Sequence, residues 1–444
     1  MATNDIRLYH VQGTHYECAR HIGITCRDLI RKRIEDDRNY LTPMFNFVQT
    51  SKGIRLHQNF VEIIRKLFPW YWDEIRGIAD GSKVPLEQIL VLNFENETQT
   101  AYRIHEARQG NYQQEDNEND AKGCSTVLIN RLDTNTLSLV HNEDNTAGLY
   151  ETGYLVEADI KSSSYDDGTR HSPNERFIAY CYAGVIPGEI LLNFLYNNNN
   201  KFMLRKRNRN VFDCVFVLGI AFGANMHGFA YALNALYPNF VGENGVPRLI
   251  INRALLSVAN ENQLDELVHT VPIAYAFCIN GAFFREHNHE TCHLLNYELG
   301  PGLNSKENFV SKCLVVNNVQ YHRYQETNGT VCLTLNYLNH FNHYDRSNGL
   351  IVEREPLFWS RNRAQRALEI GEIFTLKDAL YLLGDRTNEK FPIFFMGGTT
   401  DINLATLCTA HFNFHTRQLS IYRNNPKDNN TPRLIYNLDD LLEK

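Results

Sequence analysis

The pattern of apolar residues changes from helical to strand-like along the chain, and this change limits the fold more than any other feature. In residues 15–41 and 56–81, apolar residues recur at three and four positions, which is the spacing of amphipathic helices. Beyond residue 123 they form short runs rich in valine, isoleucine and aromatic residues, which is typical of β-strands. Helical spacing returns at 250–268 and 362–383. This order predicts an α+β fold in which two antiparallel sheets lie between helices.

A polar stretch, residues 106–122, separates the two regions. It contains one aromatic residue and no aliphatic residue larger than alanine, so it cannot bury apolar area, and we expect an exposed, mobile loop. Gly123 and Cys124 follow it at the point where the first predicted strand begins. A Gly-Cys dipeptide is uninformative by itself. A cysteine at the junction of an exposed loop and a strand, however, is where self-cleavage would create an N-terminal nucleophile.

Composition and charge exclude several classes of function. The 51 acidic and 44 basic residues give a net charge of −7, which leaves no basic field to hold a nucleic acid. The longest apolar run, residues 214–224, is shorter than the roughly 18 to 20 residues of a membrane span, and no secretory signal opens the chain. The ten cysteines form no C-x-x-C pair, and a polar hairpin tip explains the histidines of 287–293 better than a zinc site does. We therefore expect a soluble, cytoplasmic protein with free thiols.

The chemistry of an N-terminal cysteine follows from its two functional groups. A thiol beside a strained Gly-Cys peptide can attack the preceding carbonyl, move the acyl group from nitrogen to sulfur, and lose it to water. Cys124 would then carry a free α-amine whose pKa, near about 8, suits a general base. Such an enzyme hydrolyses an amide or transfers an acyl group through a thioester. It also needs a donor for the oxyanion, and side-chain amides at strand ends are candidates.

Two motifs resemble the cysteine N-terminal nucleophile hydrolases of the isopenicillin N acyltransferase type, peptidase family C45. Gly123-Cys124-Ser125-Thr126 opens one predicted strand, and His141-Asn142-Glu143-Asp144 ends the next. Further segments resemble insect members of this family in the same order along nearly the whole chain, at 13–17, 181–188, 225–228, 233–234, 252–256, 339–340, 383–385 and 420–426. Each short match is weak, but ordered agreement at so many positions is specific.

The resemblance implies a fold and a division of the chain. The implied fold is a four-layer αββα sandwich with two antiparallel sheets. Self-cleavage between Gly123 and Cys124 would leave 1–123 as a helical small subunit and 124–444 as a strand-rich large subunit of one composite domain.

The resemblance also implies the roles of four site residues. Cys124 is the nucleophile and, through its new amine, the base, while Asp144 orients that amine. Asn234, at the end of a predicted strand, is the oxyanion donor. Arg363 pairs with the carboxylate of Asp144, although Arg361 lies close enough in sequence to take this role instead.

The substrate implied by the resemblance is a small-molecule amide of β-alanine with an amine such as dopamine or histamine. Capture of the same thioester by an amine would make the protein an acyltransferase. Neither reaction requires a cofactor or a metal. Two hypotheses compete with this one: a cysteine protease that uses Cys124 with a distant histidine, and a non-catalytic binding relative.

The stretch 189–213 is longer than the corresponding segment of the family. We interpret this asparagine-rich and basic insertion as a solvated loop that could overhang the pocket.

Overall fold

The N-terminal third of the protein is helical after one short strand, as the apolar spacing predicts. The computed structural model describes residues 6–110, 123–186, 220–285, 290–302, 307–326, 332–353, 358–397 and 404–442. Strand β1 (Arg7–Gly13) precedes seven helices: α1 (His15–Thr25), α2 (Arg27–Asp36), α3 (Arg38–Phe47), α4 (Ser51–Leu67), α5 (Pro69–Ser82), α6 (Leu86–Asn93) and α7 (Glu95–Arg108). Helix α7 extends into the beginning of the predicted loop, because Glu106, Ala107 and Arg108 are all good helix formers.

The remaining helices are embedded in the strand-rich region. They are α8 (Arg248–Ala254), α9 (Glu261–Thr270), α10 (Asn318–Glu326), α11 (Phe358–Ile370) and α12 (Leu376–Leu383). Helix α12 begins with a capping box, in which Thr375 and Asp378 each accept a hydrogen bond from the other's backbone amide. No helix within the described ranges has the length and apolar character of a membrane span.

The strands form a large sheet, a smaller sheet and a short pair in the described part of the chain. The nine-stranded sheet contains, in spatial order, β1, β4 (Gly153–Ile160), β7 (Glu175–Tyr182), β8 (Ile220–Asn225), β9 (Phe229–Ala235), β10 (Phe277–Phe283), β11 (Leu294–Gly300), β12 (Phe309–Val316) and β13 (Cys332–Leu335). The six-stranded sheet contains β14 (Tyr337–His340), β2 (Ser125–Arg131), β3 (Thr136–Thr146), β15 (Leu404–Asn413), β16 (Gln418–Tyr422) and β17 (Leu434–Asn437). Strands β5 (Ser164–Tyr165) and β6 (Arg170–His171) pair separately.

Both large sheets are mainly antiparallel, with two exceptions to the predicted arrangement. Strand β1 is parallel to β4, and β12 is parallel to β13. In each case the two strands are joined by a long connection that includes at least one helix, so no hairpin requires them to run in opposite directions.

The buried apolar residues form three main clusters whose positions define the environment of β2 and β3. One cluster joins the N-terminal helices to the nine-stranded sheet, as at Ile22 and Tyr154. A second contains residues of both sheets, including Leu128 of β2. A third joins β2 and β3 to the C-terminal helices, as at Val127 and Leu383. Neighbouring residues of β2 therefore alternate between the space between the sheets and the side covered by helices.

Two polar segments from the sequence analysis lie outside the described residues. These are 111–122 of the predicted loop and the whole of the insertion at 189–213. Residues 213–219 of a predicted strand also lie outside, and its described remainder belongs to β8.

Candidate active site

The pairing of β2 with β3 sets the geometry around Cys124. Their antiparallel register pairs Ser125 with Asn142, and its continuation beyond the start of β2 brings Cys124 opposite Glu143 and Gly123 opposite Asp144. Directly opposed side chains point to the same face, and consecutive side chains point to opposite faces. Cys124 and Glu143 therefore face the core between the sheets, whereas Asp144 faces helix α11.

The Cys124 thiol is buried and hydrogen-bonded to a carboxylate. Its Sγ donates to Oε2 of Glu143 at 3.0 Å, and Glu143 is itself completely buried. The hydroxyl of Tyr182 donates to Oε1 of Glu143, and Nε2 of His141 lies 3.1 Å from Oε2. Burial raises the pKa of the Cys124 thiol well above its usual range, and the charges of Glu143 and Asp144 raise it further. The thiol consequently needs a proton acceptor when it reacts.

Arg363 binds the carbonyl of the peptide bond before Cys124. This arginine of α11 is 1% exposed, and its Nη1 donates to the oxygen of Gly123. The same nitrogen lies 3.7 Å from Oδ2 of Asp144. Arg361 is exposed, so of the two arginines considered from the sequence, Arg363 is the one that reaches the site. A cation thus lies where negative charge would develop if the Cys124 thiol attacked this carbonyl.

Only one of the two carboxylate oxygens of Asp144 accepts a hydrogen bond from the described residues. Its Oδ1 accepts a hydrogen bond from the hydroxyl of Thr406 at 2.6 Å, while its Oδ2 has no hydrogen-bond partner among the described residues. Burial raises the pKa of Asp144 to about 8, and Arg363 and then Thr406 oppose this rise. Asp144 therefore keeps one buried carboxylate oxygen that can accept a further hydrogen bond.

Asn234 contacts the other carbonyl of the cysteine. Its Nδ2 donates to the oxygen of Cys124 at 2.7 Å, and its Oδ1 accepts from the hydroxyl of Thr126 at 2.7 Å and from Nδ2 of Asn280 at 2.8 Å. In the unbroken chain, Arg363 rather than Asn234 contacts the carbonyl of Gly123. The structure thus brings the sequence-predicted residues together and shows that two different groups bind the two carbonyls.

A row of amides fixes the orientation of Asn234. Asn280 accepts from Nδ2 of Asn296 at 2.7 Å, and Asn296 in turn accepts from the guanidinium of Arg346. A guanidinium only donates hydrogen bonds, so each amide along the row must accept on its Arg346 side and donate toward Asn234. The NH₂ group of Asn234 must then face Cys124.

The backbone at the proposed cleavage point requires glycine. Gly123 has a φ of +145°, and a Cβ there would lie 2.2 Å from the side chain of Asn342. Asn342 accepts from Nη2 of Arg363 at 3.1 Å and donates to the carbonyl of Ala235 at 2.9 Å. A larger residue at position 123 would therefore displace the side chain that holds Arg363.

Several residues of the site were not selected from the sequence. Glu143 and His141 belong to the motif that contains Asp144, and the alternation of a strand could have placed Glu143 beside Cys124. Tyr182 and Asn342 carried no such signal, because they reach the site from distant parts of the chain.

Three clusters within the described ranges have donor atoms close enough together to suit a metal ion. They are Cys124, His141 and Glu143; His15, Glu74 and Glu175; and Glu298, His340 and Asp345, each with its donor atoms within 4.8 Å of one another. In the first cluster Glu143 forms hydrogen bonds with both neighbours, and in the second Arg253 binds both carboxylates.

The hairpin tip predicted at 287–293 is described only in part. Residues 286–289 lie outside the described structure, and His293 pairs with Glu261 at 2.8 Å.

An open cavity of about 690 Å³ adjoins the site. Thr406, which binds Asp144, forms part of its wall, together with Tyr150, Phe394 and Phe395. The cavity is large enough for a small organic molecule and presents aromatic surface to it.

The chain is distantly similar to one known hydrolase along almost its whole length. No protein-family model matches it. Over 427 residues it is 21% identical to a protein of Drosophila melanogaster named beta-alanyl-dopamine/carcinine hydrolase. The aligned region covers 95% of this chain and 94% of that protein, so the similarity is not restricted to the site.

Proposed function

We propose that this protein is a self-processing amide hydrolase that acts on β-alanyl amines through a thioester on Cys124. The observation that carries the proposal is the arrangement at one peptide bond, where the carbonyl of Gly123 accepts a hydrogen bond from Arg363 next to the buried thiol. The full-length similarity to a beta-alanyl-dopamine/carcinine hydrolase supports the substrate class. The three apolar clusters support the four-layer αββα arrangement of N-terminal nucleophile hydrolases.

The first reaction is cleavage of the chain itself. Sγ of Cys124 attacks the carbonyl carbon of Gly123, and Arg363 stabilises the oxyanion that forms. The carbon–nitrogen bond then breaks, which gives a thioester and a free α-amine on Cys124. Water hydrolyses the thioester and leaves residues 1–123 as the small subunit and 124–444 as the large one.

The second reaction is turnover of the substrate. The new α-amine takes the proton of the thiol, and the unpaired oxygen of Asp144 orients that amine. The thiolate attacks the substrate carbonyl, and Asn234 donates to the resulting oxyanion, the role implied by the family resemblance. The amine leaves, and water releases β-alanine from the thioester.

The cavity beside Asp144 suits the leaving amine. Aromatic rings line it at Tyr150, Phe394 and Phe395, and an aromatic amine such as dopamine or histamine would pack against them.

Mass spectrometry of the purified protein tests the first reaction, with Cys124→Ala as the comparison. We expect the wild-type chain to separate under denaturing conditions into residues 1–123 and a fragment that begins at Cys124, and the variant to stay whole. An intact wild-type chain that is nevertheless active would contradict self-processing and favour the cysteine protease hypothesis.

Incubation with β-alanyl-dopamine tests the second reaction. We expect release of dopamine and β-alanine by the cleaved wild-type protein and none by Cys124→Ala. Addition of a second amine separates hydrolysis from acyl transfer, because an acyltransferase would give the new β-alanyl amide in place of free β-alanine. Absence of both products would contradict the substrate assignment.

A further inference from the structure

We propose that Glu143 is the general base of the self-cleavage step and that it removes the proton of the Cys124 thiol as sulfur attacks Gly123. This inference rests on the proposed function, since it concerns the step that produces the active enzyme. Glu143 has no role in turnover as described above, where the α-amine is the base.

The first argument is chemical. Before cleavage the nitrogen of Cys124 belongs to a peptide bond and has no basic lone pair, so the base used in turnover does not yet exist. The thiol is nevertheless buried and protonated, with a pKa held well above its usual range by burial. Another group must therefore accept the proton in this step.

The second argument is geometric. Oε2 of Glu143 lies 3.0 Å from Sγ of Cys124, within the hydrogen-bond reach that a general base requires. The register of β2 and β3, continued by one residue beyond Ser125, brings the two side chains opposite each other on one face of the sheet. The carboxylate is also held from other directions, because Tyr182 donates to Oε1 and His141 lies 3.1 Å from Oε2.

The neighbouring groups are less suited to this task. Asp144 faces α11 and is bound by Thr406, and Arg363 has no acceptor atom. His141 lies beside Glu143, but its Nδ1 is 2.8 Å from the hydroxyl of Thr126, which gives its own proton to Asn234. Nδ1 must then carry a proton, and Nε2 can hydrogen-bond to the carboxylate only by donating a proton as well, so neither ring nitrogen is free to accept the proton of the thiol.

The proton balance of the step closes within the site. Glu143 takes the proton from Sγ as the sulfur–carbon bond forms at Gly123. The protonated carboxyl then gives this proton to the nitrogen of Cys124 as the carbon–nitrogen bond breaks. The products are a thioester and a neutral amine, and the step needs no other reactant.

The test compares wild type with Glu143→Gln in the full chain, as the rate of fragment formation between about pH 6 and 9. We expect the variant to cleave about 10²- to 10⁴-fold more slowly, the usual contribution of a general base. Its rate should rise about tenfold per pH unit as hydroxide replaces the carboxylate, whereas the wild-type rate should vary far less. Among the described residues, Cys124, His141, Tyr180, Tyr182 and Cys408 are the titratable groups that surround Glu143, and the charge of Asp144 acts on it from the other face of β3.

Two further variants exclude a merely structural effect. Glu97→Gln removes an equally buried carboxylate in α7 that accepts from the backbone of Arg248, and we expect it to cleave like wild type. Glu143→Asp retains the charge, so it should cleave faster than Glu143→Gln and keep the weak pH dependence. Hydroxylamine, which attacks a thioester, should accelerate wild-type cleavage but leave Glu143→Gln slow, since that variant is blocked before the thioester forms.

The outcomes separate this inference from the proposal on which it rests. A wild-type chain that never cleaves overturns both. Rapid cleavage by wild type and by a folded Glu143→Gln variant at every pH overturns the role of Glu143 alone. If Glu143→Gln does not fold, a Glu143→Asp variant with the steep pH dependence of hydroxide-driven cleavage overturns it equally.

Discussion

Two buried clusters of charge in this protein are built differently. The Arg253 cluster comprises His15, Tyr71, Glu74, Glu175, Arg253 and Ser257, and the Cys124 site comprises Cys124, Glu143, Asp144, Asn234 and Arg363. In the Arg253 cluster every carboxylate oxygen accepts a hydrogen bond, with Arg253 bound to both acids. In the Cys124 site, Oδ2 of Asp144 lies 3.7 Å from Arg363 and accepts no hydrogen bond from the described part of the chain.

The pKa shifts of the acids follow this difference in hydrogen bonding. Glu175 is fully buried, which by itself raises its pKa, yet Arg253 and the other donors bring the net shift below the usual range. Asp144 is just as buried, and with weaker compensation its pKa rises to about 8. Glu74 and Glu175 have every oxygen hydrogen-bonded and share a cation, which suits stabilisation of the fold, whereas Asp144 keeps one oxygen that accepts no hydrogen bond among the described residues.

The Arg253 cluster also joins the two fragments that self-cleavage would create. His15 and Glu74 belong to residues 1–123, and Glu175 and Arg253 belong to residues 124–444. The ion pair between Arg253 and Glu74 therefore connects the proposed subunits without a covalent bond, and the hydroxyl of Tyr71 adds a hydrogen bond to Glu175 across the same boundary. We expect the fragments to remain associated under native conditions.

Replacement of Arg253 by methionine should give the largest change in stability. It leaves Glu74 and Glu175 buried without their cation, and loss of one partner of such a cluster costs about 3–5 kcal/mol. Urea denaturation in the Cys124→Ala background, where the chain stays whole, measures this loss. A decrease below about 1 kcal/mol would contradict a stabilising role, and slower self-cleavage by folded Arg253→Met with Cys124 intact would show that this cluster also serves the reaction.

Replacement of Arg363 by methionine should affect chemistry instead. It removes the donor at the carbonyl of Gly123, and loss of one oxyanion donor typically lowers the rate about 10²- to 10³-fold. The rate of fragment formation measures the effect. Arg361→Met, on the exposed side of the same helix, is the matched control and should cleave like wild type. Equal rates for the two variants would remove Arg363 from the self-cleavage reaction.

The pH dependence of stability tests the incomplete pairing of Asp144. Its pKa in the folded state, about 8, exceeds the ordinary value of 3.8, so the folded protein binds this proton more tightly than the unfolded chain does. The resulting stabilisation is complete below about pH 4 and is lost as the pH rises through about 8. Within this window the stability should fall by about 1.4 kcal/mol per pH unit, or about 2 kcal/mol between pH 6 and 7.5, in the uncleaved Cys124→Ala background, and Asp144→Asn should remove this dependence. Identical pH profiles with and without the substitution would contradict the raised pKa.

The sequence predicts those residues of the site that lie on neighbouring elements of the chain. Cys124 and Asp144 lie on two consecutive strands, so the motifs at their ends predict that they approach each other. Strand alternation also places Glu143 on the face of Cys124, an inference that the resemblance to a family motif does not provide. Tyr182 could not be predicted in this way, since only the packing of one sheet on the other brings it to Glu143. Asn342 reaches Arg363 through the pairing of β14 with β2, two strands that are far apart in the sequence.

The fold, like the site, could be predicted from the sequence only where the pattern depends on a single element. Apolar periodicity predicts the helices of the first third and most strands after Cys124, because each pattern reflects burial of one face of a single element. The partner of β1 could not be predicted, since its pairing with β4 depends on how all the intervening helices pack. The parallel direction of β1 and β4 depends on the packing of the same helices, so it could not be predicted either.

The row of amides behind Asn234 gives the smallest expected effect and the sharpest test of how finely the Cys124 site is ordered. Asn280→Ala removes one of the two donors to Oδ1 of Asn234, while Thr126 still holds it. One hydrogen bond is worth about 1 kcal/mol, so we expect turnover of β-alanyl-dopamine to fall about fivefold with little change in KM. Asn130→Ala is the matched control, because Asn130 is equally buried but donates to Cys292, Val315 and Gln320 instead. Equal turnover by the two variants would mean that Thr126 alone orients Asn234, and the amides would then belong, like the Arg253 cluster, to the structural interior.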